Sequence, residues 1–185
     1  LRAILDEARC GNHRLLMTRL TLEQHARLGS AAPEDYDPLS QTAILGEIVD
    51  RTPGVGIVAA GTSDLPVVTE AARTLEFHGY EASKLTDVGV AGLWRLTEQL
   101  EALTAHRVLI AVAGMEGALF SVLAGLISSP IIAVPAPQGY GVAAEGRVAL
   151  DSALGSCAPG LLVVNIGNGF GAACAAIRIM RIASI

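Results

Sequence analysis

From Val55 onward, short runs rich in valine and isoleucine alternate with longer runs rich in alanine and leucine. The strand-like runs are Val55–Ala60, Tyr80–Leu85, Val108–Ala113, Pro130–Val134 and Leu161–Ile166. Between and after them lie helix-like runs at Pro66–His78, Ala91–Ala102, Gly117–Leu126, Ala143–Leu154 and Gly171–Arg181. Few architectures accept this alternation. Strands that are apolar throughout are buried on both faces, as in a parallel sheet covered by helices. Five βα units with right-handed crossovers then predict an α/β fold, a three-layer α/β/α sandwich. The expected strand order of its five-stranded parallel sheet is 2-1-3-4-5, as in flavodoxin-like folds. That order places ligands at the carboxyl ends of the strands, near the switch between the first and the third.

Composition supports a buried core and narrows the partners. Of the 185 residues, 51% are hydrophobic and 17% charged, and the net charge is −5. A chain this apolar is expected to bury surface in subunit contacts as well as in its core, which predicts a homo-oligomer. An acidic balance with a single lysine, Lys84, and 4% aromatics excludes the basic stripe and stacking platforms of a nucleic-acid binder. The apolar run Val108–Pro137 is interrupted by Glu116, glycines and prolines, so it reads as strand–helix–strand core and not as a membrane span. Cys10, Cys157 and Cys174 make an odd cysteine count without a secretory leader, which points to a reduced, cytoplasmic compartment.

Residues 1–50 have another texture. Leu1–Arg9 is helix-like, Leu15–Leu20 strand-like and Leu22–Leu28 helix-like, and Ser30–Ser40 reads as a polar linker. This is too little for a second core. The expectation is an α/β appendage, incomplete at its start, packed on a main domain that spans residues 51–185 or on a neighbouring subunit.

In such a topology every strand-to-helix corner falls on one edge of the sheet, and glycine occurs at all five. The first corner reads Gly61-Thr62-Ser63-Asp64. Its amides, hydroxyls and helix dipole suit a phosphate. Ser63 or Asp64 could equally cap the helix, with Pro66 in its first turn. Asp64 would repel a phosphate, so a ribose hydroxyl or an orienting role suits it better. The second corner, TDVGVAG, supplies Asp87 and Gly89, and the third, AGMEGAL, supplies Gly114, Met115 and Gly117. The fourth, PAPQGYG, adds Tyr140, and the fifth, NIGNGFGAA, adds Asn168. Five glycine corners on one edge suggest a surface where backbone approaches a ligand, although glycine also serves ordinary turns.

Two side chains carry candidate chemistry. Glu116 sits between glycines after the most apolar strand, either as a helix-N-terminal glutamate or as an acid/base. Cys157, in LGSCAPG, lies in a turn of small residues, where a thiol is accessible; a buried cysteine such as Cys174 is ordinarily inert. The Cys157 loop leads toward the amino edge of the fifth strand, so reaching the glycine-rich edge would require projection across, or a neighbouring subunit. No metal cluster, CxxC pair, GxxxxGK or strand-linked GxGxxG occurs, so no metal site is expected.

The ordered segments AAGTSDLPVVTEAA, DVGVAG, AVAGMEGALFSVLAGL, IIAVPAPQGYG, SCAPG and VVNIGNGFGAA resemble the LarB family over roughly residues 51–181. The resemblance implies the fold of the aminoimidazole ribonucleotide carboxylases, PurE, and assembly as an octamer. It implies carboxylation of the pyridinium ring of nicotinic acid adenine dinucleotide by CO2 or bicarbonate, with phosphoanhydride cleavage. The products are pyridinium-3,5-biscarboxylic acid mononucleotide and AMP, in the first step of nickel-pincer nucleotide biosynthesis. Carried over, the nucleophilic cysteine falls on Cys157 and the acid/base carboxylate on Glu116. No tightly bound cofactor is implied, and Mg²⁺ is an expected aid to hydrolysis. One position departs: Gly167 stands where family members often carry an acid. A PurE-type reaction on aminoimidazole ribonucleotide is the alternative, but its histidine is expected in the third corner, where Glu116 stands. A non-catalytic nucleotide-binding protein of the same fold is the third reading.

Overall fold

The computed structural model describes residues 1–47 and 50–182. The expected division near residue 50 adjoins residues 48–49, which lie outside the described residues, as do the last three of the expected 51–185 domain. The chain opens with α1 (Arg2–Cys10), β1 (Leu15–Met17), α2 (Leu22–Leu28), β2 (Asp35–Asp37) and β3 (Thr42–Leu45). β3 is the centre of a small antiparallel sheet in which Ala43 faces Met17 on β1 and Tyr36 on β2.

Three expectations for this lobe need correction. The stretch read as a linker contains β2, and the lobe does enclose a small core of Leu5, Met17, Leu20, Leu28 and Ala43. Polar residues disguised the strand. Asp35 and Asp37 sit on a sheet edge, and the Asp37 carboxylate closes the next turn by accepting from the Ser40 amide at 2.8 Å. The strand expected over Leu15–Leu20 stops at Met17, since Arg19 adopts φ 57°, outside the extended region.

The remainder follows the predicted rhythm: β4 (Thr52–Ala59), α3 (Leu65–Phe77), β5 (Tyr80–Leu85), α4 (Leu93–Thr97), α5 (Leu100–Thr104) and β6 (Val108–Ala113). Then come α6 (Ala118–Leu126), β7 (Ile131–Pro135), α7 (Arg147–Leu154), β8 (Leu161–Val163) and α8 (Gly169–Ile182). The five strands β5-β4-β6-β7-β8 are parallel throughout, which is the expected order 2-1-3-4-5. Ile57 on β4 lies beside Ile110 on β6, which lies beside Ile132 on β7.

Strand alternation divides the core. On β6, Val108, Ile110 and Val112 face α3 and α8, while Leu109, Ala111 and Ala113 face the opposite helical layer. All six are essentially without exposure, which explains why this strand lacks any polar position.

Two helices are shorter than their sequence pattern. The run Ala91–Ala102 breaks at Glu98–Gln99, where Thr97 Oγ1 bonds back to the Trp94 carbonyl at 3.0 Å and the chain restarts as α5. The run Ala143–Leu154 is regular only from Arg147. Gly146 adopts φ 73°, and a Cβ there would lie 2.6 Å from the Ala136 carbonyl oxygen. The last strand ends at Val163, although the Val164 amide still bonds Ala133.

The N-terminal lobe is seated on α3. Arg73 Nε donates to Thr42 Oγ1 at 2.6 Å, and its terminal nitrogen pairs with the Asp35 carboxylate at 2.6 Å. Arg14 bonds the Phe77 carbonyl and stacks over the Phe77 ring at 4.5 Å. Among the described residues no helix is long and apolar enough to cross a membrane.

Candidate active site at the carboxyl edge of the sheet

At the switch between β4 and β6 the connections leave for opposite faces, and a cleft of about 370 Å³ opens between them. Four corners meet in it. The first contributes Gly61, Ser63 and Asp64, and the second Gly89. The third contributes Gly114, Met115 and Glu116, and the fourth contributes Gln138.

After β4 the chain makes a 3₁₀ turn at Thr62–Asp64 and runs into α3 with Pro66 in the first turn. Asp64 makes no forward cap to α3. Its carboxylate instead reaches back to accept from the Gly61 amide at 3.0 Å, closing the corner on itself. Burial pushes the Asp64 carboxyl above its ordinary range, and the Gly61 amide, which favours the charged form, pulls it part of the way back. Ser63 lines the cleft; Thr62, in the same turn, is exposed and outside the lining.

The glycines of the second and third corners act first as spacers between backbones. A Cβ on Gly89 would stand 2.8 Å from the Ala60 carbonyl oxygen, and one on Gly114 would stand 2.1 Å from that of Gln138. Absence of a side chain therefore stacks the second corner on the first and the third on the fourth. Met115 takes φ 49°, a strained setting for a long side chain. It carries Glu116 to the rim, where the carboxylate is exposed and makes no hydrogen bond or ion pair among the described residues. Gly117 is buried beneath the corner as the N-cap of α6 and does not line the cleft.

The other expected residues are placed elsewhere. Asp87 is held by Arg95, whose Nε donates to its carbonyl at 2.6 Å and whose terminal nitrogen lies 3.8 Å from its carboxylate. Tyr140 is 77% exposed, outside the cleft lining. Asn168 spends its Oδ1 on the Gly171 amide at 2.8 Å, capping α8. Cys157 is exposed in the loop between α7 and β8, at the amino edge of the sheet, where Leu161 pairs with Ile131 at the start of β7. Ser156 pins that loop to α6 through a 2.7 Å bond to Ser121. Within one chain, Cys157 and Glu116 therefore belong to opposite edges.

Gln138 escaped the sequence reading. It faces the cleft, and its Oε1 is buried with no hydrogen-bond partner among the described residues. Only its place in the quoted motif PAPQGYG hinted at it. Among the described residues no group of three or more His, Cys, Asp or Glu is placed to hold a metal ion.

A parallel α/β/α sandwich with a ligand-sized cleft at its topological switch point defines a class of small-molecule-binding domain. The chain belongs to the AIR carboxylase family, whose model matches residues 54–184. It is 49% identical over 120 residues to an uncharacterized protein of Methanocaldococcus jannaschii, a match covering 64% of this chain and 46% of that protein. The chain thus spans under half the length of that curated relative. Among solved structures, a PurE2 variant of Treponema denticola superposes with a TM-score of 0.59 at 22% identity, covering 70% of this chain and 80% of that one. PurE of the same organism gives 0.56 at 22% identity, with coverages of 71% and 82%. At that identity the likeness is one of fold.

Proposed function

We propose that the protein is a LarB-type carboxylase/hydrolase acting on nicotinic acid adenine dinucleotide. The observation that carries this reading is Glu116, a carboxylate with no partner among the described residues, at the third corner of the cleft. A pyridinium ring is electron-poor and does not attack CO2. Addition of the Cys157 thiolate to the ring turns the carbon meta to nitrogen into an enamine-like nucleophile. That carbon bonds CO2, Glu116 removes its proton, and departure of the thiolate restores the aromatic ring. One water then cleaves the phosphoanhydride, releasing AMP and leaving the biscarboxylated mononucleotide. The Gly61–Asp64 corner would hold phosphate and ribose.

Since Cys157 lies at the far edge of its own chain, this reading needs the thiol of a second copy. Exposed Tyr140, Val142, Leu154 and Leu162 offer apolar surface for such a homo-oligomer, an octamer by resemblance. The second reading, carboxylation of aminoimidazole ribonucleotide, is favoured by the family the chain belongs to. One experiment separates them: each substrate is incubated with the protein, Mg²⁺ and labelled bicarbonate. Labelled biscarboxylated mononucleotide with AMP supports the first reading. Label transferred only to aminoimidazole ribonucleotide supports the second, and no label in either leaves a non-catalytic binder.

A further inference from the structure

A second cavity of about 200 Å³ adjoins the cleft, and Gln138 lines both. It lies in the seam between the N-terminal lobe and the main sheet. Arg19 and Gln41 wall it from the lobe, and Pro66, Glu70 and Gly167 wall it from the other side. Nothing in the proposed chemistry uses this space.

The seam is built with unusual backbone. Arg19 and Gln41 both adopt positive φ, 57° and 54°, and are tied together by the Leu20 amide, which bonds the Gln41 carbonyl at 2.8 Å. Such settings persist where the surrounding structure over-determines them. Here they hold an exposed guanidinium at the cavity wall. Arg19 makes no hydrogen bond or ion pair of its own among the described residues. The nearby carboxylate, Glu70, is already engaged: it accepts from the Phe170 amide at 3.2 Å at the start of α8, and Arg19 acts on it only through its field. Gln138 lines both spaces, and its side-chain amide carries the donors and the acceptor that a ribose hydroxyl pairs with.

We propose that the cleft continues past Gln138 into this seam, and that Arg19 and Gln138 hold the phosphorylated second ribose of a two-ended nucleotide substrate. The proposal rests on the dinucleotide reading above. It makes the N-terminal lobe part of the binding site, with one half of the substrate at the sheet edge and the other between lobe and sheet. A guanidinium on a phosphate is a charge-assisted bond that discriminates a nucleotide from its nucleoside.

The test titrates AMP and nicotinic acid mononucleotide separately into wild type, Arg19→Asn and Arg19→Lys. Asparagine tolerates a positive φ, so Arg19→Asn removes the charge with little strain. Arg19→Asn is expected to weaken AMP binding about tenfold or more, leave nicotinic acid mononucleotide unchanged, and be partly rescued by Arg19→Lys. Equal AMP affinity in wild type and Arg19→Asn overturns the inference. So does failure of wild type to take up AMP at millimolar concentration. If the mononucleotide still binds and labelled product still forms, the proposed function survives that failure. A melting curve for each variant confirms that the lobe remains folded.

Discussion

The carboxylate of Asp64 accepts a hydrogen bond from the amide of Gly61 at 3.0 Å while the residue is 2% exposed. This one contact ties the strand end to the helix start and puts a buried acid in the wall of the cleft. Its cost is desolvation of a charge, which is why the carboxyl is raised.

A raised carboxyl makes a definite pH signature. The folded chain binds the proton more readily than the unfolded one. The stability this contributes is complete below the ordinary Asp value of 3.8 and is lost as pH rises through the raised folded value. Asp64→Asn keeps an acceptor for the Gly61 amide and removes the titration. The melting temperature of the variant relative to wild type should therefore rise as pH climbs from the ordinary Asp value of 3.8 through the raised folded value. A difference that is flat, or that grows toward acid, refutes the role given to Asp64.

Corner stacking predicts opposite signs for two glycine-to-alanine changes. Gly114→Ala drives a methyl into the Gln138 carbonyl and should cost about 1–3 kcal/mol, with loss of ligand binding in the cleft. Gly125 lies on an exposed face of α6, and a Cβ there would meet nothing within 4 Å beyond its own helix backbone. Gly125→Ala should add about 0.5–1 kcal/mol. Urea unfolding of both variants checks the pair.

Arg73 is the bolt between lobe and sheet, with its side chain 16% exposed against Asp35 and Thr42. Arg73→Met should reduce hydrogen-exchange protection over residues 35–45 by about 1–3 kcal/mol while β6 keeps its protection. Uniform loss across the chain would mean that lobe and sheet unfold as one unit.

If the reaction needs Glu116 from one copy and Cys157 from another, each single variant should be nearly inactive. Loss of the acid/base is expected to lower kcat by roughly 10²–10⁴. Glu116→Gln and Cys157→Ala proteins, mixed and allowed to exchange subunits, should recover a fraction of wild-type turnover. No recovery after demonstrated exchange removes the two-copy site.

Much of the sheet was legible because each strand carries its own signal. Val108–Ala113 is apolar at every position, and only burial on both faces accounts for that. Gly61–Asp64 and Gly114–Glu116 were legible as corners for the same local reason, a strand stopping at glycine. Asp35–Asp37 was not, since a three-residue edge strand carries no periodicity. Gln138 was missed because its importance comes from Gly114, a neighbour in space from a different corner.

By itself the sequence determined the parallel α/β/α layering, the strand order and the edge on which the glycine corners gather, since strand burial and crossover handedness follow from local pattern. Tertiary structure alone decided which corner residues share a cleft. It turned Asp64 back on Gly61, used Asn168 as a helix cap and set Arg19 and Gln138 in the wall of one cavity. Those relations depend on backbone packing between segments far apart in the chain, and no local pattern of residues encodes that distance.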